Sequence, residues 1–167
     1  MTAVVHTLPR PNRTDVGLAA FSRWHVGSPE RQSATLEAIA RAWRSRPWPT
    51  PDLRSYNLYA SNDGRTLMHY SQWADERALR DFQRDQRDER LEEIFAAVPE
   101  AERLGLGLYT RYRGGAPESA NDPARHAGCI VTVEVEFVDS DAERQRAWVD
   151  AVYTALDSDP KPHPGGI

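Results

Sequence analysis

The pattern of apolar and polar positions predicts a regular order of strands and helices over the first two thirds of the chain. Runs of β-branched, aromatic or alternating apolar residues are typical of strands. These runs fall at 18–26, 55–61, 66–73 and 104–113. Apolar residues at helical spacing follow the first and third runs, and a short helical segment is added at 91–98. The resulting order, β-α-β-β-α-β, is the ferredoxin-like α+β arrangement, with both helices on one face of an antiparallel sheet.

Short polar motifs mark where the predicted elements begin and end. Ser28 is a capping residue, Pro29 suits the first position of a helix, and Glu30 suits its positive end. Asn62-Asp63-Gly64 predicts a tight hairpin, because Asp-Gly readily adopts the positive φ that such turns need. The buried stripe of the first helix is predicted to comprise Leu36, Ile39, Ala40 and Trp43.

Part of this pattern recurs further along the chain. Ile130–Val138 has the composition of a strand, and Asp139-Ser140-Asp141 then supplies capping residues for another helix. Glu30-Arg31-Gln32 recurs as Glu143-Arg144-Gln145, and the apolar stripes and the Pro-x-Pro-x-Pro segments share the same offset of 113 residues. The predicted organisation is a complete unit at 15–113, a linker at 114–127, and a partial second β-α copy at 128–167.

Composition narrows the classes of partner and chemistry. The chain has 167 residues, a formal net charge of -4 and a pI near 5.7, which argues against nucleic acid or an anionic membrane as partner. Its apolar runs are shorter than the roughly 20 residues that a membrane span needs, and no signal peptide is expected, so we predict a cytoplasmic protein. A lone Cys129 excludes an internal disulfide and a cysteine-based metal cluster.

Three segments carry a family resemblance. They are Val26-Gly27-Ser28-Pro29-Glu30-Arg31-Gln32, Tyr59-Ala60-Ser61-Asn62-Asp63-Gly64 and His69-Tyr70-Ser71-Gln72-Trp73. Together they resemble the antibiotic biosynthesis monooxygenase family over roughly residues 15–113, and tandem-copy members are the most similar in organisation. The resemblance implies a dimeric α+β barrel, in which two ferredoxin-like units join through their sheets. It therefore also implies a homodimer.

The same resemblance implies an activity. The best-known members of this family oxidise anthrone- or naphthol-type aromatic polyketides to quinones with O2, without metal, flavin or haem. Such substrates form stabilised carbanions that can pass an electron to oxygen, so the protein binds flat rings and stabilises developing negative charge. The sequence has no Gly-rich dinucleotide fingerprint and no cluster of metal-ligand residues, so no cofactor and no metal are expected.

The resemblance and the strand pattern also select candidate catalytic residues. Trp73 matches the family's pocket Trp, although an aromatic residue at a strand end can equally pack a core. His69 and Ser71 share the strand face of Trp73, since alternate residues point to the same side. The family has Asn where this chain has His69, so His69 is predicted to act as a general base or as a hydrogen-bond partner of a phenolic oxygen.

Further candidates for substrate binding are Ser71, Tyr56, Trp24 and Arg87. Tyr56 and Trp24 fit plain core positions as well. The Arg residues at 84, 87 and 90 alternate with acidic residues, and a solvated, salt-bridged surface is the favoured interpretation of that stretch. Tyr70 and Gln72 point away from His69 and are expected to face a partner sheet.

Alternative functions remain open from the sequence. A non-redox polyketide cyclase or isomerase would need a similar pocket, and a non-catalytic accessory or binding protein is compatible with an incomplete second copy. Haem degradation is disfavoured, because Gln83 stands where such relatives carry an iron-binding His.

Overall fold

The computed structural model describes residues 10–114 and 130–158. The chain divides into two units, Met1–Gly114 and Gly115–Ile167, and each is described by itself. The strands are β1 (Leu18–His25), β2 (Leu53–Ala60), β3 (Thr66–Trp73) and β4 (Glu102–Tyr109). The helices are α1 (Pro29–Arg44), α2 (Glu76–Asp85), α3 (Arg87–Ala97) and α4 (Ala142–Asp157). Within these described ranges, no helix is both long and apolar enough to span a membrane.

The four strands form one sheet in the order β2-β3-β1-β4, and every neighbouring pair is antiparallel. The helices α1, α2 and α3 belong to this unit and pack on one face of the sheet. The fold is therefore ferredoxin-like, as the sequence predicts. The helix after β3 is split in two, with Gln86 as the residue between α2 and α3.

The predicted start of α1 and the predicted hairpin are both confirmed, and they contact each other. The Ser28 side chain accepts a hydrogen bond from the backbone N–H of Arg31 at 3.3 Å, and Pro29 is the first helical residue. Gly64, in the turn between β2 and β3, has φ of +70°, and a Cβ built there would lie 2.6 Å from Cγ of Pro29. Glycine at this position therefore serves both the turn and the close approach of the helix.

The core lies between the sheet and the helices. Fully buried apolar residues include Ile39, Leu53, Leu67 and Trp73. On α1 the buried stripe differs from the predicted one, because Ala38 and Ala42 are buried while Leu36 and Ala40 are only partly so.

A bulge changes the face that β4 presents. The pairing of β1 with β4 shifts between Arg23 and Trp24, so that Arg103 lies opposite Trp24 and Leu104 falls out of register. Leu106 and Leu108 share one face of β4, and the alternation stops before Leu104. Arg103 therefore takes the position on the helix side.

In the second unit the predicted helix is confirmed as α4, and Asp141 caps it by accepting from the backbone N–H groups of Glu143 and Arg144. The strand predicted at 130–138 is not formed: these residues are in neither a helix nor a strand. A strand needs a ladder partner, whereas a helix closes its own hydrogen bonds, which explains the different outcomes. Residues 115–127 of the predicted linker, and residues 128–129 and 159–167 of the predicted copy, lie outside the described residues. The tandem-copy organisation stays a prediction.

Candidate functional site

A cavity lies between the sheet and the helices of the first unit. Its solvent-accessible volume is about 110 Å³, whereas one water molecule needs roughly 10–15 Å³ on that kind of measure. All four strands and all three helices of the unit contribute to its walls. The aromatic and imidazole rings among the lining residues are Trp24, Trp43, Tyr56, His69, Trp73 and Phe82. The cavity therefore offers a small organic ligand several flat surfaces to pack against.

The structure brings all six sequence-predicted site residues to this cavity. They are His69, Trp73, Tyr56, Ser71, Trp24 and Arg87. The alternation of β3 places three of them on the helix side, and the antiparallel register brings Tyr56 opposite Ser71 and Leu58 opposite His69. Tyr70 and Gln72, predicted to lie on the other face, are absent from the cavity lining. Whether the six residues bind a substrate stays a prediction.

His69 is held by aromatic neighbours on two sides. The Tyr56 hydroxyl lies 2.6 Å from Nδ1 of His69, and the Trp24 ring lies 4.5 Å from the His69 ring between centroids. Tyr56 is itself stacked on Trp43, with ring centroids 4.1 Å apart. Nε2 of His69 is buried and has no hydrogen-bond partner among the described residues. His69 lines the cavity, so a polar atom without such a partner belongs to one of the cavity-lining side chains.

Burial sets the charge state of this pair. It lowers the pKa of His69 to about 3, with a further contribution from the positive charge of Arg103. Burial also raises the pKa of Tyr56 well above its ordinary value. Both groups are therefore neutral at neutral pH. Because a phenol is the stronger donor toward a neutral imidazole nitrogen, we assign the Tyr56 O–H as donor to Nδ1, which places the ring proton of His69 on Nε2.

Trp73 closes the cavity at the end of β3. It is 2% exposed, and its indole N–H donates to the Ser71 hydroxyl at 2.9 Å. Its ring packs against Phe82 at 5.3 Å between centroids. Trp73 is thus both a core residue and a wall of the cavity, so the two interpretations of its position do not exclude each other.

The arginines of the α2–α3 region do not behave as one group. Arg84 is exposed and pairs with Asp81 at 2.9 Å and Asp85 at 2.7 Å, as the surface interpretation predicts. Arg87 lines the cavity and pairs with Asp88 at 3.0 Å. Arg90 is only 5% exposed, so its predicted surface position was wrong. The break at Gln86 turns α3 toward α1 and buries this side chain.

Several residues that line the cavity were not selected by the sequence analysis, and four of them carry an aromatic ring or a charge. They are Trp43, Phe82, Arg90 and Arg103. Trp43 and Phe82 have the helical spacing of ordinary core residues, and that pattern cannot separate a core position from a cavity wall. Arg103 precedes the predicted start of β4, and only the bulge brings it to the helix side. In the described part of the chain, His, Cys, Asp and Glu form no group of three or more that could hold a metal ion.

Comparison with solved structures identifies related proteins. A monooxygenase from Streptomyces coelicolor, ActVA-Orf6, solved with the ligand nanaomycin D, is 26% identical with a TM-score of 0.52. The match covers 64% of this chain and 96% of that one. The chain is therefore similar to this monooxygenase in both sequence and fold. The family segment ending in His69-Tyr70-Ser71-Gln72-Trp73 is the part of β3 that forms the cavity wall.

Other solved structures resemble this chain more weakly. SnoaB, a cofactor-independent oxygenase from Streptomyces nogalater, is 17% identical with a TM-score of 0.43, and the match covers 59% of this chain and 95% of SnoaB. Rv0793 from Mycobacterium tuberculosis is 18% identical with a TM-score of 0.44, covering 59% of this chain and 99% of Rv0793. No protein-family model and no curated protein matches the sequence.

Proposed function

We propose that this protein is a cofactor-independent monooxygenase that oxidises an aromatic polyketide of the anthrone or naphthol type to a quinone with O2. The observation that carries the proposal is the neutral His69 side chain, held by Tyr56, whose Nε2 is buried without a partner in a cavity walled by aromatic rings. The similarity to a monooxygenase solved with nanaomycin D supports the same class of activity.

The aromatic walls would position the substrate. Trp24 lies beside the His69 ring, and Trp73 and Phe82 provide further ring surfaces in the same cavity. Flat substrate rings stacked there would present a phenol or carbonyl oxygen to His69. Holding the substrate in one orientation contributes to catalysis because the reacting groups no longer have to find each other.

His69 would then stabilise negative charge rather than remove a proton. A pKa of about 3 makes its imidazole a weak base, whereas its Nε2–H is a competent donor to an oxygen that becomes negative. When the substrate loses its C–H proton to water, charge moves onto that oxygen, and a donor fixed in a dry site stabilises it. Of the two roles that the sequence suggests for His69, this geometry favours the hydrogen-bond partner.

The remaining chemistry belongs to the substrate and O2. The anion passes one electron to O2, and recombination at carbon gives a hydroperoxide. Loss of water leaves a carbonyl at the former methylene. One oxygen atom enters the quinone, the other leaves as water, and the two methylene hydrogens are removed with it.

An oxygen-dependence assay tests the proposal. Anthrone is incubated with the protein in air and under nitrogen, and anthraquinone absorbance and O2 uptake are followed. We expect quinone to form in air with one O2 consumed per product, faster than without protein, and no conversion under nitrogen. Consumption of anthrone at equal rates with and without O2, with no quinone formed, would remove the monooxygenase proposal and indicate a non-redox enzyme such as a cyclase or isomerase. Binding without turnover would indicate an accessory protein.

A further inference from the structure

The charge of the cavity differs from the charge of the chain. The protein carries a formal net charge of -4, with 25 acidic and 21 basic residues. The described residues that line the cavity nevertheless include three arginines and neither Asp nor Glu. Those arginines are Arg87, Arg90 and Arg103. Of the three, Arg103 is exposed, Arg87 is half-buried and Arg90 is buried. A buried positive charge such as that of Arg90 favours an anionic ligand over a neutral one, because low-dielectric surroundings screen it weakly.

Among the three cavity arginines, Arg90 has a buried nitrogen atom without a hydrogen-bond partner among the residues that the structure describes. One terminal nitrogen of its guanidinium donates to the Gln86 carbonyl at 3.0 Å, and the other donates to the Pro47 carbonyl at 3.2 Å. Its Nε is buried and has no hydrogen-bond partner within residues 10–114 and 130–158. The guanidinium carbon lies 5.2 Å from the ring centroid of Trp43 and 5.8 Å from that of Phe82. The guanidinium is therefore held in place, and one of its three nitrogen atoms has no partner within those ranges.

The other charged groups near the cavity do not supply a counter-ion for Arg90. Arg87 is already paired with Asp88 at 3.0 Å. No acidic side chain in the described part of the chain forms an ion pair with Arg90. Burial and, to a smaller extent, the charge of Arg46 lower its pKa, and the opposing effect of Glu89 does not offset them. Burying a cation without a counter-ion is costly, and an anion supplied by the ligand would remove that cost.

We propose that the ligand of this cavity is an aromatic carboxylate, and that Arg90 binds its carboxylate while His69 binds a phenol or carbonyl oxygen elsewhere on the same rings. This inference rests on the proposed function for the aromatic character of the substrate, and it adds the charged group. A carboxylate fits better than a phosphate, because a small and largely aromatic cavity has to dehydrate only one negative charge. Arg90 is thereby a specificity-determining residue, separate from the residue that faces the reacting oxygen.

A matched pair of ligands tests this in nitrogen-purged buffer, where no turnover occurs. The probes are 6-hydroxy-2-naphthoate and 6-(hydroxymethyl)-2-naphthol, which differ in replacing a carboxylate by a hydroxymethyl group of similar size. Isothermal titration calorimetry gives both dissociation constants. We expect the carboxylate to bind about 10- to 100-fold more tightly, the range for a hydrogen bond to a charged group. Equal affinities, or no binding of the carboxylate, would overturn the proposal.

Variants assign the preference to Arg90. Arg90→Gln should lose it, with the affinity for the neutral naphthol changed less than about threefold. Arg84→Gln, which removes an exposed arginine from the neighbouring helix α2, should keep it. If circular dichroism shows that Arg90→Gln does not fold, Arg90→Lys takes its place. The lysine retains the charge but lacks the Nε–H, so the preference should fall at least threefold; an unchanged preference in either folded variant would overturn the assignment.

The binding assay and the oxygen assay fail independently. A carboxylate preference that depends on Arg90, in a protein that consumes no O2 with any anthrone, leaves this inference standing and removes the monooxygenase proposal. Oxygen-dependent turnover without a carboxylate preference would support the monooxygenase proposal and remove this inference.

Discussion

The two faces of β3 differ in whether their buried polar side chains have hydrogen-bond partners. On the helix side His69 is buried, yet its Nε2 has no partner among the described residues. On the opposite side Gln72 is fully buried, and its amide oxygen accepts from the Ser55 hydroxyl at 2.6 Å while its amide nitrogen donates to the Arg10 carbonyl at 3.0 Å. Next to it, Tyr70 stacks on Phe21 with centroids 4.7 Å apart.

This difference separates groups that serve the fold from groups that are available to a ligand. Buried polar groups are normally hydrogen-bonded, so an unpartnered one is either a cost or a binding function. The buried amide of Gln72 is hydrogen-bonded to residues of the first unit, so it needs no partner sheet to satisfy it. Nε2 of His69 has no such hydrogen bond to a described residue, and His69 lies on the wall of a cavity. The expected partner sheet over Tyr70 and Gln72 stays a prediction.

The largest expected effect is on the pH dependence of stability. The pKa of His69 is about 3 in the folded protein and near 6.5 when exposed, so between these values only the unfolded state takes up the proton. Stability should therefore fall as the pH falls below 6.5, by roughly 1.4 kcal/mol per pH unit from this group. Urea unfolding between pH 7 and 4.5 measures it, and His69→Gln should show a flatter profile. Identical profiles for the two proteins would contradict the assigned charge state.

The next largest effect is on turnover. His69→Ala should lower the rate of anthrone oxidation by about 100- to 1,000-fold, as expected for loss of one fixed donor to a developing oxyanion. Tyr70→Phe changes the adjacent residue on the other face and should stay within about twofold of the unaltered protein. Stopped-flow measurement of quinone absorbance compares the two. An equal loss in both variants would mean that the faces are not functionally distinct.

The smallest expected effect concerns the paired face. Gln72→Ala removes the partners of the Ser55 hydroxyl and the Arg10 carbonyl, so the free energy of unfolding should fall by roughly 1–3 kcal/mol. Gln145→Ala, at an exposed position of α4, should change it by less than about 0.5 kcal/mol. Chemical denaturation measures both. The turnover number of Gln72→Ala at 25 °C should be unchanged, and a large loss would show that this face contributes to the site.

The local signals in the sequence predicted the fold of the first unit well. Strand β3 has its predicted bounds, and Ser28 caps α1 as expected. Alternation along β3 was enough to bring His69, Ser71 and Trp73 to one face. These features depend on neighbours within a few residues, which is why a single sequence reveals them.

The missed features depend on contacts that are distant in sequence. The burial of Arg90 follows from the break at Gln86, whose amide donates to the Pro49 carbonyl at 3.3 Å, and nothing in the polar run around it signals that contact. The bulge that brings Arg103 to the cavity arises from strand pairing. At 130–138 a strand-like composition was not enough to form a strand, because the described residues do not cover the apolar side chains: Val131 and Val133 are each 81% exposed.

The break at Gln86 also bears on how such a protein can change over time. It puts Arg90 on a short helix of its own, while His69 and Trp73 belong to a central strand of the sheet. Substitutions on α3 can then alter the charge and shape of one wall without disturbing the register that holds His69. New ligands can therefore be acquired by varying an 11-residue helix, while the residues of β3 that line the cavity are left unchanged.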